Sequence, residues 1–262
     1  MSLNINSNSY IIGFAAAVCI VCSLFVSGAA VSLKEKQKEN ADLDLQKNII
    51  SVSELPESKE ISSLSVEKIK GLFEKSENPN RIEKIYIDID TGKVAEVDTT
   101  KLEADKKECA TRAGKIPKKD NTAKLSCYMQ FQDIYKVYNG GKFSRYILPV
   151  VGKGLWSTLK GFAAVDEKRE KVVGLTFYSH GETPGLGGEI DSKKFKDDWA
   201  SGKTIYTSNS VALGVAKGSA KDKAYQVDGL SGATLTGKGV TEMMSFWFGD
   251  HGYKKFLNTG GN

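Results

Sequence analysis

Residues 228–236 read Asp-Gly-Leu-Ser-Gly-Ala-Thr-Leu-Thr and lie just ahead of a helical pattern. Small residues in such a run let a bulky group come close to the backbone. A helix start offers unpaired N–H groups and a partial positive charge to an anion. The stretch therefore suits a phosphate held at Thr234, with Asp228, Ser231, Gly232, Ala233, Leu235 and Thr236 around it. On chemistry alone Ser231 and Thr236 are competing acceptors. Read without any ligand, the same run is an ordinary loop with Ser or Thr capping a helix.

A second cluster spans residues 181–189, Gly-Glu-Thr-Pro-Gly-Leu-Gly-Gly-Glu. Its four glycines let the backbone lie against a flat ligand, which makes Glu182, Thr183, Gly185, Leu186 and Gly187 candidate contacts. The dinucleotide fingerprint G-x-G-x-x-G fails, because Ile190 stands where the last glycine belongs. A third cluster, Gly-Lys-Gly-Leu-Trp-Ser at 152–157, puts the Trp156 indole beside glycines, where it can stack on a ring or serve as a core residue. Only two histidines exist, His180 and His251, which leaves little room for a His-based metal site or a catalytic triad.

These clusters need elements to hold them. Residues 10–33 carry no charge and would make a helix of roughly 36 Å, enough to cross a bilayer. Ser23, Ser27, Gly28, Ala29 and Ala30 suit close packing on another membrane helix. Gly28-Ala29-Ala30 also resembles a signal-peptide cleavage site. The absence of Lys or Arg before Lys34, and the length of the run, favour a retained anchor. Cys19 and Cys22 fall inside this run and read as lipid-facing or packing residues. Lys34, Lys36 and Lys38 follow the span, which by the positive-inside rule favours a cytoplasmic body. Cys109 and Cys127 can pair if the body is extracytoplasmic, a matter the sequence leaves open.

Residues 34–50 continue as a helix, and Ser65 caps a short helix through Phe73. Ile85, Ile87 and Ile89 alternate with polar residues as a strand does, and Asp90-Thr91-Gly92 makes a turn. Residues 99–124, with few large apolar side chains, read as an exposed insertion or loop with room for a helical piece. Strands at 128–138 and 143–150 flank Asn139-Gly140-Gly141, and strands at 162–165 and 172–178 flank the charged turn 166–171. Phe195 and Trp199 mark a short helix begun by Asp191 or Ser192. A strand-like run covers 211–215, and the last helix, 234–248, carries Val240, Met243, Met244 and Trp247 on one face. Hairpins with interspersed helices imply an α+β domain with a C-terminal helix. The net charge of +5 comes from lysines interleaved with acids, which argues against a nucleic-acid groove.

The lone N-terminal span, Gly-x-Gly-Leu-Trp-Ser, Gly-Glu-Thr-Pro-Gly-Leu-Gly-Gly-Glu and Asp-Gly-Leu-Ser-Gly-Ala-Thr-Leu-Thr, in that order, resemble the C subunit of the sodium-translocating NADH:quinone oxidoreductase. The likeness covers the anchor and residues 146–256 and is weak over 51–139. It implies FMN esterified through its phosphate to Thr234 by a separate Mg-dependent flavin transferase that uses FAD and releases AMP. Asp228, Ser231, Gly232 and Ala233 would be recognition residues. It also implies a one-electron relay in a bacterial inner-membrane complex of six subunits that oxidises NADH, reduces ubiquinone and exports sodium. The soluble body would lie on the periplasmic side, against the direction given by the lysines. The resulting division is a tail at 1–9, a transmembrane helix at 10–33, a helical connector and variable α/β region at 34–127, an FMN-binding domain at 128–256 and a tail at 257–262. Partners would be the other subunits, the transferase and membrane lipid. A flavin subunit of the related ferredoxin–NAD oxidoreductase complex, or a cofactor-free membrane-tethered assembly protein, are the alternatives.

Overall fold

The structure, a computed structural model, describes residues 7–74, 77–208 and 210–259. Of the expected tails, residues 1–6 and 260–262 lie outside the described residues. The chain divides into two units, Met1–Asp44 and Leu45–Asn262.

The first unit consists of helix α1 (Asn8–Ser51), whose last turns belong to the second unit. The helix does not stop where the apolar run ends, because residues 34–51 hold neither Gly nor Pro and are rich in good helix formers. Ile12, Phe14, Leu24, Phe25 and Val31 are exposed on it. It is long and apolar enough to cross a membrane. Cys19 and Cys22 are exposed free thiols within the apolar stretch.

The second unit is built on a seven-stranded antiparallel sheet, in the order β2-β1-β3-β4-β5-β6-β7. The strands are β1 (Arg81–Asp88), β2 (Lys93–Ala95), β3 (Phe131–Asn139), β4 (Lys142–Lys153), β5 (Thr158–Asp166), β6 (Lys171–Ser179) and β7 (Lys203–Thr204). The β3–β4 hairpin turns through Gly140 and Gly141, both at positive φ (59° and 80°), as a tight right-twisting connection requires. Side chains alternate across β4: Tyr146, Leu148 and Val150 join the main core, while Ile147 is buried on the opposite face. Both faces of the central strands are thus covered, which accounts for the nearly unbroken apolar run there.

Helix α2 (Val66–Glu74) starts as expected, with Ser65 Oγ accepting the Lys68 N–H at 3.3 Å. Residues 99–124 are largely exposed and contain the expected helical piece, which is longer than a loop reading implies. Helix α3 (Thr99–Lys115) fills most of this segment, capped by Asp98, whose Oδ1 accepts the Lys101 N–H at 2.7 Å. Its buried stripe is Asp105, Cys109 and Ala113, spaced four apart but made of small and polar groups rather than large apolar ones. Asp105 accepts the Gln130 and Phe131 N–H groups at 2.9 and 2.8 Å, tying the helix to the start of β3. A Cys109–Cys127 disulfide makes a second tie.

Helix α4 (Lys193–Ala200) is capped by Ser192, not Asp191: the Phe195 N–H reaches Ser192 Oγ at 3.3 Å. The expected strand at 211–215 is broken in two. Strand β9 (Ser210–Val211) pairs with β8 (Tyr206–Thr207), and β10 (Gly214–Val215) pairs in parallel with β11 (Gln226–Val227). The break lets Gly214 pack against Thr241 of the last long helix and buries Leu213. That helix, α5 (Thr234–Trp247), lies on β4 with Val240, Met243, Met244 and Trp247 all buried. The Trp247 indole N–H donates to the Val151 carbonyl at 2.7 Å. Helix α6 (Lys254–Thr259) follows, with Phe256 and Leu257 buried.

Candidate functional site

Helix α5 begins without a side-chain cap. Ala233 is the N-cap residue, and the first intrahelical bond runs from Gly237 N–H to Ala233 O at 3.1 Å. The N–H groups of Thr234, Leu235 and Thr236 therefore have no intrahelical acceptor, and those of Thr234 and Leu235 lie on exposed residues where an anion can reach them. The loop-and-cap reading of this run does not hold, because neither Ser231 nor Thr234 commits its hydroxyl to the helix end. Gly232 turns the chain into the helix at φ +69°, with Leu186 packed where a Cβ would sit.

The three hydroxyls are now distinguishable. Ser231 and Thr234 are exposed. Thr236 is buried, and its hydroxyl donates to Glu182 Oε2 at 2.6 Å. Asp228 is half-buried; its Oδ1 accepts the Ala220 N–H at 2.9 Å, and its own N–H donates to Asp198 Oδ2 at 2.9 Å. The acid of the motif thus shapes the loop that feeds the helix.

The other two clusters meet this one at a single carboxylate. Glu182 is 4 % exposed. Its Oε1 accepts the Trp156 N–H, the Ser157 N–H and the Ser157 hydroxyl, each at 3.0 Å. Its Oε2 accepts the Leu155 N–H at 3.2 Å besides Thr236. Burial opposes its ionisation, but the Thr236 hydroxyl and the Trp156 and Ser157 donors outweigh that and hold its pKa below the usual carboxylate range. The neighbouring His180 accepts the Glu182 N–H at Nδ1 (3.2 Å), which places its ring proton on Nε2, facing Asp191 Oδ2 at 2.7 Å.

Trp156 is 70 % exposed, so it is not the core residue its type suggests. Leu155, Leu186 and Leu235 are also exposed. The tied loops thus present four large apolar side chains to solvent next to an anion-accepting helix end. Thr183 and Gly185 are exposed in the same loop, and Gly187 is buried beneath it. The residues present fit a ligand with a flat apolar body and a phosphate tail. A cavity of about 570 Å³ lies elsewhere, beside Asn48, Arg145 and Thr176, and one of about 430 Å³ beside Tyr128, Met129 and Trp247 touches the site's third cluster only at Gly152 and Lys153. The candidate site is an open surface of loops.

Sequence reasoning missed the shared role of Glu182 and the support from His180 and Ser157. Glu182 meets Ser157 and Thr236 across separations of 25 and 54 residues, which no local pattern reveals, whereas His180 lies only two residues from Glu182 and 11 from Asp191.

The FMN-binding domain family matches residues 154–248, from the Trp156 loop to the end of α5. The chain is 39% identical over 252 residues to the C subunit of the Na(+)-translocating NADH-quinone reductase of Pseudomonas aeruginosa, covering 93% of this chain and 92% of the relative. It is 37% identical over 259 residues to the protein of the same name from Vibrio parahaemolyticus, covering 98% and 97%. Its fold is similar to the crystal structure of Shewanella oneidensis NqrC, with a TM-score of 0.69, 30% identity and coverage of 84% and 97%. It is also similar to the crystal structure of the same reductase's C subunit from Parabacteroides distasonis, with a TM-score of 0.61, 28% identity and coverage of 87% and 98%.

Proposed function

The chain belongs to the C-subunit family of the Na(+)-translocating NADH-quinone reductases, and from that premise we propose that it carries FMN covalently on Thr234 and relays electrons within that complex. It is a membrane-associated subunit of a multi-subunit enzyme, with an FMN-binding domain. The observation that carries the attachment point is the exposed Thr234 hydroxyl at the first position of the uncapped helix α5.

For attachment, Thr234 Oγ displaces AMP from the FMN phosphorus of FAD, forming the phosphoester as the P–O–P bond breaks and losing its hydroxyl proton. A separate flavin transferase catalyses this step. Afterwards the unpaired N–H groups at the exposed start of α5, those of Thr234 and Leu235, would hold the phosphoester charge. Trp156, Leu155, Leu186 and Leu235 supply apolar surface for the ring, and Asp228 with Ser231, Gly232 and Ala233 forms the approach that the transferase reads. When bound, FMN supplies one-electron redox chemistry. We infer no NADH site on this chain: it passes electrons between other members of an assembly of six subunits that reduces ubiquinone and exports sodium.

We place the body on the periplasmic side of the inner membrane, with lipid around residues 10–33. The Cys109–Cys127 disulfide supports this side, because such bonds persist in oxidising compartments. Lys34, Lys36 and Lys38 pull the other way. The disulfide weighs more, since it concerns the folded body itself. To test the attachment, the full chain is coexpressed with a flavin transferase, denatured on a gel and examined for flavin fluorescence. The wild-type band is expected to glow and the Thr234→Ala band to stay dark. A dark wild-type band with an unmodified mass would overturn the reading.

A further inference from the structure

We propose that Glu182 is a positioning residue for flavin attachment, its carboxylate locking the first turn of α5 to the loop that carries Trp156. The proposal rests on the reading of Thr234 as the acceptor.

A carboxylate offers about four lone-pair sites. Glu182 already accepts from five donors, namely three backbone N–H groups and the hydroxyls of Ser157 and Thr236. With its acceptor capacity filled and its side chain buried, it has nothing left to offer a ligand or the Thr234 proton. It acts through the residues it holds. Thr236 lies two positions after Thr234 in the same helical turn, so the Thr236–Glu182 bond fixes the rotation of that turn and with it the direction of the Thr234 hydroxyl. On the other side, the N–H groups of Leu155, Trp156 and Ser157 wrap the same carboxylate and fix the backbone under the exposed indole.

The surrounding sequence leaves room for this arrangement. A Cβ on Gly187 would fall 2.5 Å from Thr236 Oγ1, and one on Gly154 would fall 2.6 Å from Glu182 Oε1. Each glycine thus stands where a side chain would push one partner away from the carboxylate. A buried charge is tolerated only when donors replace water, and here the donors come from two of the three motifs while the carboxylate belongs to the third. One charge therefore holds all three in register.

The test uses the full-length chain presented to the flavin transferase with FAD, comparing wild type, Thr236→Val, Thr236→Ser and Glu182→Gln. Intact mass reads the rate of covalent flavin gain per folded molecule, and hydrogen exchange of the flavin-free chain reads the 155–157 amides. Thr236→Val is near in shape but lacks the donor. It is expected to slow attachment by about tenfold or more, the factor that follows losing one hydrogen bond to a charged group. Its melting temperature is expected to fall by several degrees, as losing a bond to a buried charge implies, which is why the rate is read per folded molecule; its 155–157 protection is expected to change little. Thr236→Ser restores the hydroxyl and is expected to restore the rate. Glu182→Gln sets an amide NH2 against N–H donors and is expected to lose both the rate and the 155–157 protection. If that variant fails to fold, the Thr236 pair still decides. Attachment at the wild-type rate in Thr236→Val, or equal slowing in Thr236→Ser, would overturn the proposal while leaving Thr234 as the acceptor. A wild-type chain that takes up no flavin would overturn both.

Discussion

Replacing Gly239 with alanine sets two calculable effects against each other. Gly239 sits inside α5, where glycine costs a helix about 1 kcal/mol relative to alanine. On propensity alone Gly239→Ala should stabilise the protein. In the structure, however, a Cβ there would lie 2.4 Å from the Lys153 carbonyl oxygen and 3.0 Å from Gly154 Cα. The first distance is about 1 Å short of ordinary contact, and both atoms are backbone, so no side chain can rotate away. Overpacking of this kind costs about 1–3 kcal/mol. Gly71 in α2 is the control, since a Cβ there meets nothing within 4 Å, and Gly71→Ala should show the propensity gain alone. Comparing the two variants cancels propensity and leaves the clash, about 1–3 kcal/mol. For a body of this size each kcal/mol shifts Tm by about 2–4 °C, so Gly239→Ala should melt about 2–12 °C below Gly71→Ala. Relief of the clash also moves the start of α5 away from the Trp156 loop, so attachment of flavin should slow. The assay is thermal melting of the full chain in detergent, followed by circular dichroism. A Gly239→Ala protein as stable as Gly71→Ala would refute the close packing of α5 on β4.

Three further outcomes are expected. Trp156→Ala should change stability by less than about 0.5 kcal/mol, as for other exposed sites, yet alter the fluorescence of attached flavin; a loss of several kcal/mol would return Trp156 to the core. Cys109→Ser should lower stability by about 3 kcal/mol, the loop-closure entropy of a segment near this length, with Cys127 then labelling with a membrane-impermeant maleimide from the periplasmic side; labelling only after the membrane is opened would reverse the orientation. Finally, Glu182 and Asp198 both have pKa values lowered in the fold, against burial, by the Thr236, Trp156 and Ser157 donors in one case and by Lys203 and the Asp228 N–H in the other. A lowered carboxylate pKa adds stability above its unfolded value, about 4, and that stability is lost as pH falls through the folded value. Tm should therefore hold from pH 8 to 5 and fall below about pH 4, less steeply in Glu182→Gln; an identical slope in that variant would remove Glu182 from the account.

Much of this is legible along the chain because local chemistry and tertiary structure agree. Asn139-Gly140-Gly141 forces a hairpin whatever surrounds it, and the Val240, Met243, Met244, Trp247 stripe can only face a core. Helix α3 is obscured because its buried stripe, Asp105, Cys109 and Ala113, reads as solvent-facing until the amides of Gln130 and Phe131 are seen to satisfy Asp105. The run at 211–215 reads as one strand because apolar content does not show that Val211 and Val215 pair with different partners. At the site, the sequence identifies the segments but not their junction. Thr234, Ser231 and Thr236 are chemically alike, and only packing separates the buried, bonded Thr236 from the two exposed hydroxyls. Glu182 reads as a ligand contact, whereas the structure gives its oxygens to the protein's own donors.

The central claim is tested most directly by locating the flavin on the chain. Trypsin cleavage after Lys223 and Lys238 releases residues 224–238, which contain Ser231, Thr234 and Thr236 together. Fragment masses of that peptide, taken from full-length protein matured with flavin transferase, should place one FMN less one water on Thr234 and on neither neighbour. An unmodified peptide, or an adduct on Ser231 or Thr236, would contradict the account.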